Sequence, residues 1–130
     1  MRLRNIPEAT PAIENSIYVI KNPEKQKNSW RKLFNNNNPL HIEIGMGKGR
    51  FITEMAILNP DINYIGIEMY SSVLYRALQK MDSMENPPKN LLFLNIDAKD
   101  LANIFAEKNS LLDISFLKET SEKYNFKSRK

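Results

Sequence analysis

The chain has 130 residues, 42% hydrophobic and 26% charged, with a formal net charge of +4, no cysteine and one histidine. That size allows one small domain with a modest core, and the composition argues against wholesale disorder. Without cysteine there is no disulfide framework, thiol nucleophile or thiolate metal site, and His41 alone cannot build a histidine cluster, so no metal is expected.

The first four residues, Met1 to Arg4, lack the apolar core of a signal peptide, and no apolar stretch is long enough to span a bilayer. A cytoplasmic protein with no membrane partner is expected. Residues 1–34 hold seven Lys or Arg (Arg2, Arg4, Lys21, Lys25, Lys27, Arg31, Lys32) against three Glu (Glu8, Glu14, Glu24). The excess leans toward an anionic partner. Tyr18 and Trp30 could stack on bases if exposed, or pack against the body; the sequence leaves both readings open.

From residue 39, after the asparagine run at 35–38, strand-like and helix-like segments alternate, which predicts βαβ units and a parallel sheet. Leu40 to Ile44 reads as a first strand, followed by a helix from about Gly49 to Leu58 that Pro60 stops. Tyr64 to Glu68 reads as a second strand. A helix from Ser71-Ser72 carries Val73, Leu74, Ala77, Leu78 and Met81 at helical spacing and ends before Pro87. Leu91 to Asp97 is a third strand, apolar almost throughout, as strands buried on both faces are. Leu101, Ile104 and Phe105 suggest a short third helix. Leu112, Ile114 and Phe116 alternate with polar residues in the manner of a fourth strand, although Leu111 and Leu117 fit a helix as well. Residues 118–130 contain few apolar side chains and read as frayed or disordered.

The chemical address is the junction of the first strand and its helix, where Glu43 precedes glycines at 45, 47 and 49. Such a turn lets a ligand touch backbone that a β-carbon would block. A GxxxxGK[ST] phosphate loop would need Ser or Thr after Lys48 and glycine at 42, where the chain has Gly49 and Ile42. The dinucleotide pattern GxGxxG is weakened by Arg50 at its third glycine. The remaining pattern, E-x-GxGxG, suits a nucleoside-like ligand with little or no phosphate.

Three carboxylates fall at corresponding places: Glu43 before the glycines, Glu68 ending the second strand and Asp97 ending the third. In an open parallel sheet ligands bind outside the carboxyl ends of the strands, so all three can face one crevice. Glu68, 19 positions after Gly49, is placed to accept both hydroxyls of a ribose. Asp97 is placed to accept from an adenine amine, with the Ala98 backbone beside the ring, and Glu43 lies toward a positively charged ligand end. Each acid alone is as well explained as a cap or a solvated terminus; the glycine loop favours the site.

These residues resemble the bacterial tRNA (guanine-46-N7)-methyltransferases, which use S-adenosylmethionine. His41 to Gly49, Asn59 to Glu68 and Asn95 to Ala98 match that family's cofactor motifs in order and spacing, and Arg2, Arg4, Asn22-Pro23 and Trp30 resemble its entry segment. The resemblance covers about residues 1–108. It implies a Rossmann-like S-adenosylmethionine-dependent methyltransferase fold, here truncated, with a parallel sheet of three or four strands. Glu43, Glu68, Asp97, Gly45 and Gly47 are then cofactor-binding positions, and tRNA is the partner. The implied organisation is a basic segment at 1–38, a cofactor-binding half-domain at 39–108 and an atypical tail at 109–130.

The family continues into an Asn-Phe-Ser-Asp-Pro-Trp-Pro-Lys stretch and a later Thr-Asp-Asn motif, and neither occurs here. The chain therefore reads as the N-terminal half of such an enzyme with an unrelated or frame-shifted tail. Because guanine N7 carries an unprotonated lone pair, its methylation needs no general base, and no catalytic residue is assigned. The expected outcome is weak cofactor binding without useful methyl transfer. A non-catalytic nucleoside-binding remnant and a dinucleotide-binding domain are the alternatives. A strand left at a sheet edge would also favour self-association, or makeshift pairing by residues 111–117.

Overall fold

A computed structural model describes residues 5–26, 30–101 and 114–116. Helix α1 (Ala9–Asn15) and the short helix α2 (Trp30–Phe34) precede strand β1 (Leu40–Ile44). Helix α3 (Arg50–Leu58) leads to β2 (Asn63–Ile67), and α4 (Ser71–Ser83) leads to β3 (Leu91–Leu94); strand β4 is Ile114–Phe116. The four strands form one parallel sheet in the order β3-β2-β1-β4. The expected Rossmann-like α/β fold is therefore present.

The apolar strands are buried on both faces because helices cover both. Tyr64, Leu91 and Phe93 face α3 and α4, meeting Ile52, Ala56, Leu74 and Leu78 in one core. Ile42, Ile44, Ile65, Ile67 and Leu94 face the other way, toward Trp30 and Leu101. Trp30 is 4% exposed, so it packs against the body and offers no stacking surface. Tyr18 also packs against the first core.

Several features differ from the sequence expectation. The N-terminal region holds α1, which packs against α4, and a bridge in which Val19 runs parallel to Phe93. There the Phe93 amide donates to Tyr18 O at 2.7 Å and the Ile20 amide to Phe93 O at 2.9 Å, so this segment lines the edge of β3. The asparagine run is a built turn. Asn35 takes φ +59° after α2, and Asn36 Oδ1 accepts from the Asn38 amide at 3.0 Å and from buried Asn63 Nδ2 at 2.7 Å. Asn90 Nδ2 donates to the carbonyls of Ala56, Asn59 and Ile62 at 2.8–3.0 Å, tying the end of α3 to the start of β2.

The third strand stops at Leu94, three residues before Asp97, because Asn95 turns its side chain back to the β2 end. A 3-10 turn at Ala98–Asp100 leads into buried Leu101, which is itself helical; Ile104 and Phe105, the rest of the expected third helix, lie outside the described residues. The fourth element is a strand, pairing Leu40 with Ile114 and Ile42 with Phe116. The tail expectation for 118–130 also lies outside the described residues. Among the described residues no helix is long and apolar enough to cross a membrane.

Candidate functional site at the strand ends

The loop between β1 and α3 owes its shape to glycine. Gly45, Gly47 and Gly49 have φ of +70°, +64° and +80°, a region that costs other L-residues about 1–2 kcal/mol. The loop is tied down from the side: the amides of Gly45 and Met46 both donate to Ile67 O, at 2.8 and 3.0 Å. It is also anchored from below, where the buried Met46 side chain enters the core against Gly66 and Phe93. Around Gly47, by contrast, a β-carbon would meet nothing within 4 Å. The backbone there faces open space.

Glu68 follows β2 and is only 6% exposed. Its Oε1 accepts the Gly47 amide at 3.0 Å, and its Oε2 accepts the Tyr70 amide at 3.0 Å. One carboxylate thus locks the glycine loop to the start of α4. Each oxygen keeps a second lone pair for a hydroxyl donor. Glu43 is buried in β1, opposite Gly66 in the sheet register. Asp97 is half-buried and caps the 3-10 turn, its Oδ1 accepting the Lys99 amide at 3.0 Å. All three acids stand at the carboxyl side of the sheet, and among the described residues they form no group able to hold a metal.

Asn95 joins two of these strand ends. Its Nδ2 donates to Glu68 O at 3.1 Å and Met69 O at 3.2 Å, while its Oδ1 accepts the Ser71 hydroxyl at 3.3 Å. In the sequence Asn95 reads as part of the third strand and of a motif shared with the family, with no separate task for its side chain. Around the mouth, Met69 and Tyr70 are exposed, as is Lys48 at the loop tip. Arg50 reaches Glu54 at 3.5 Å one turn along α3, an exposed pair of little energetic weight.

Residues 37–117, which contain this loop and all three acids, match the family model described as "Putative methyltransferase". The chain belongs to this methyltransferase family. It is 56% identical over 106 residues to the tRNA (guanine-N(7)-)-methyltransferase of Lachnoclostridium phytofermentans, covering 82% of this chain and 49% of that protein. To the enzyme of the same name from Geobacillus sp. strain WCH70 it is 59% identical over 108 residues, covering 82% and 48%. The resemblance read from the motifs is thereby borne out. The chain spans about half the length of these curated relatives. In three dimensions it resembles the crystal structure of an aminoglycoside resistance methyltransferase, with a TM-score of 0.51 at 22% identity, covering 67% of this chain and 42% of that one. That likeness is one of fold.

Proposed function

We propose that this methyltransferase-family chain carries the S-adenosylmethionine site of a tRNA (guanine-46-N7)-methyltransferase. The observation that carries the reading is the bond from the Gly47 amide to Glu68, which fixes a buried carboxylate beside backbone that opens to solvent. Glu68 would hold the ribose hydroxyls, Asp97 the adenine amine, and Glu43 the charged end of the ligand, with Gly45 and Gly47 allowing close approach. When bound, S-adenosylmethionine supplies an electrophilic methyl group.

A phosphate-bearing ligand is less well served. A dinucleotide loop aims its amides at a pyrophosphate, whereas here the amides of Gly45, Met46, Gly47 and Gly49 are all spent inside the protein. The carboxylate of Glu68 selects a free ribose for the same reason, since it repels phosphate at that position.

The chain's part in the reaction is orientation. Guanine N7 needs no proton removed, so the protein's contribution is to hold donor and base in line and to favour charge moving onto the purine. The family's Asp-Pro-Trp-Pro-Lys stretch does not occur in the 130 residues, and no group among the described ones is assigned to the base. The expected behaviour of this polypeptide alone is therefore donor binding without turnover.

Calorimetric titration with S-adenosylhomocysteine, S-adenosylmethionine and NAD tests the donor site, and tritiated methyl transfer to unmodified tRNA tests turnover. Binding of the first two and not of NAD is expected, with no transfer. Preference for NAD would overturn the donor assignment; efficient methylation of tRNA by this chain would overturn the division of labour.

A further inference from the structure

We propose that Asn95 is a positioning residue that sets the ribose-facing carboxylate of Glu68; this rests on the donor-site reading above. One side-chain amide reaches three groups of the 68–71 turn, across 24 to 27 residues of sequence: Glu68 O, Met69 O and the Ser71 hydroxyl. The turn it grips is the one that carries Glu68. Within that turn Glu68 Oε2 takes the Tyr70 amide, and outside it Glu68 Oε1 takes the Gly47 amide. Asn95 is thus the outer end of a hydrogen-bonded chain running through Glu68 to the glycine loop.

The chemistry requires an amide. Two carbonyls side by side need two N–H donors, and a hydroxyl needs an acceptor at a fixed angle; asparagine offers both in one plane. Serine could satisfy at most part of this set. Alanine leaves the Glu68 and Met69 carbonyls to water, which does not fix the turn. Aspartate would set a carboxylate against both.

What a relaxed turn loses is direction rather than fold. The cores on both faces of the sheet contain none of these atoms, whereas a carboxylate displaced by about 1 Å no longer meets two hydroxyls at once. The loss falls on ribose recognition. Contacts to the base and the amino-acid end of the ligand do not pass through Asn95 and Glu68.

The test is titration of the full chain and its Asn95→Ala and Asn95→Ser variants with S-adenosylhomocysteine and with its 2′,3′-dideoxyribose analogue, alongside thermal melts. Wild type should prefer the natural ribose by at least about ten-fold, the scale set by one charged hydrogen bond. Asn95→Ala should lose most of that preference while binding the dideoxy analogue as wild type does, and Asn95→Ser should fall between. Equal losses for both ligands, or an unchanged preference, would overturn the assignment. So would failure of both variants to melt cooperatively, which would make Asn95 a residue of the fold. If wild type binds neither ligand, the donor-site reading itself fails, an outcome separate from any change between variants.

Discussion

The side chain of Met46 fills the place that a β-carbon on Gly66 would take. Met46 belongs to the glycine loop and Gly66 to the middle of β2, so the loop is seated by a missing side chain in the next strand. Phe93 and Ile52 close the same space, at 3.2 and 3.4 Å from that position.

Gly66→Ala should therefore destabilise the chain by about 1–3 kcal/mol through overpacking, seen as a lower urea midpoint. Shortening the neighbour should relieve it. The double variant Met46→Ala/Gly66→Ala is expected to be more stable than the sum of its singles, by roughly 0.5–3 kcal/mol. Strict additivity would show that the two positions do not share the space.

Gly47→Ala should behave in the opposite way. Its φ of +64° costs an alanine about 1–2 kcal/mol, with no steric penalty from the protein, because nothing lies within 4 Å of the new carbon. The open space is the ligand's approach on the proposed reading. The variant should remain folded and lose more affinity for S-adenosylhomocysteine than it loses stability, measured by calorimetry and urea titration on the same sample. Unchanged affinity would move the ligand away from Gly47.

Asn90 is a structural staple remote from the acids. Truncation to alanine leaves three carbonyls without their shared donor, and a loss of about 1–3 kcal/mol is expected. Asn90→Asp should cost more, since a carboxylate would face those carbonyls. Affinity for S-adenosylhomocysteine should not change in the alanine variant; a marked drop would connect the end of α3 to the site.

His41, the single histidine, is half-buried, with its ring edge-on to Tyr64 at a centroid distance of 5.6 Å. Burial lowers its pKa from the ordinary 6.5, so the unfolded chain takes up the proton more readily than the folded one. The stability gained by keeping the ring neutral is complete above about pH 6.5 and is lost as pH falls from there through the depressed folded value. Urea midpoints of wild type and His41→Leu, compared from pH 7.5 down to 5, should shift against wild type as pH falls. Parallel curves would rule His41 out as the source.

Much of this architecture is legible in order of residues. The runs at 64–67 and 91–94 are apolar on both alternations, which only a strand covered on both sides can use, while 40–44 is apolar on one alternation and carries His41 and Glu43 on the other; the glycines at 45, 47 and 49 mark a loop held at positive φ. Helix α4 follows from its spacing of Leu74, Ala77, Leu78 and Met81. What escaped was carried by polar residues. Asn36, Asn63 and Asn90 read as loop or turn and Asn95 as strand, and their partners lie 24 to 34 positions away. Trp30 could have stacked on a base or filled a core until the second sheet face claimed it.

Sequence alone determined the parallel α/β class, the glycine loop and the placing of Glu43, Glu68 and Asp97 near strand ends, because periodicity and backbone sterics are local. Only the tertiary structure decided that Glu68 holds the Gly47 amide, that Met46 needs Gly66 and that Asn95 ends β3 by reaching across to β2. Those are contacts between segments far apart in the chain. A side chain's one or two hydrogen bonds are chosen by whichever backbone groups the packed sheet leaves in reach, and no local pattern encodes that choice.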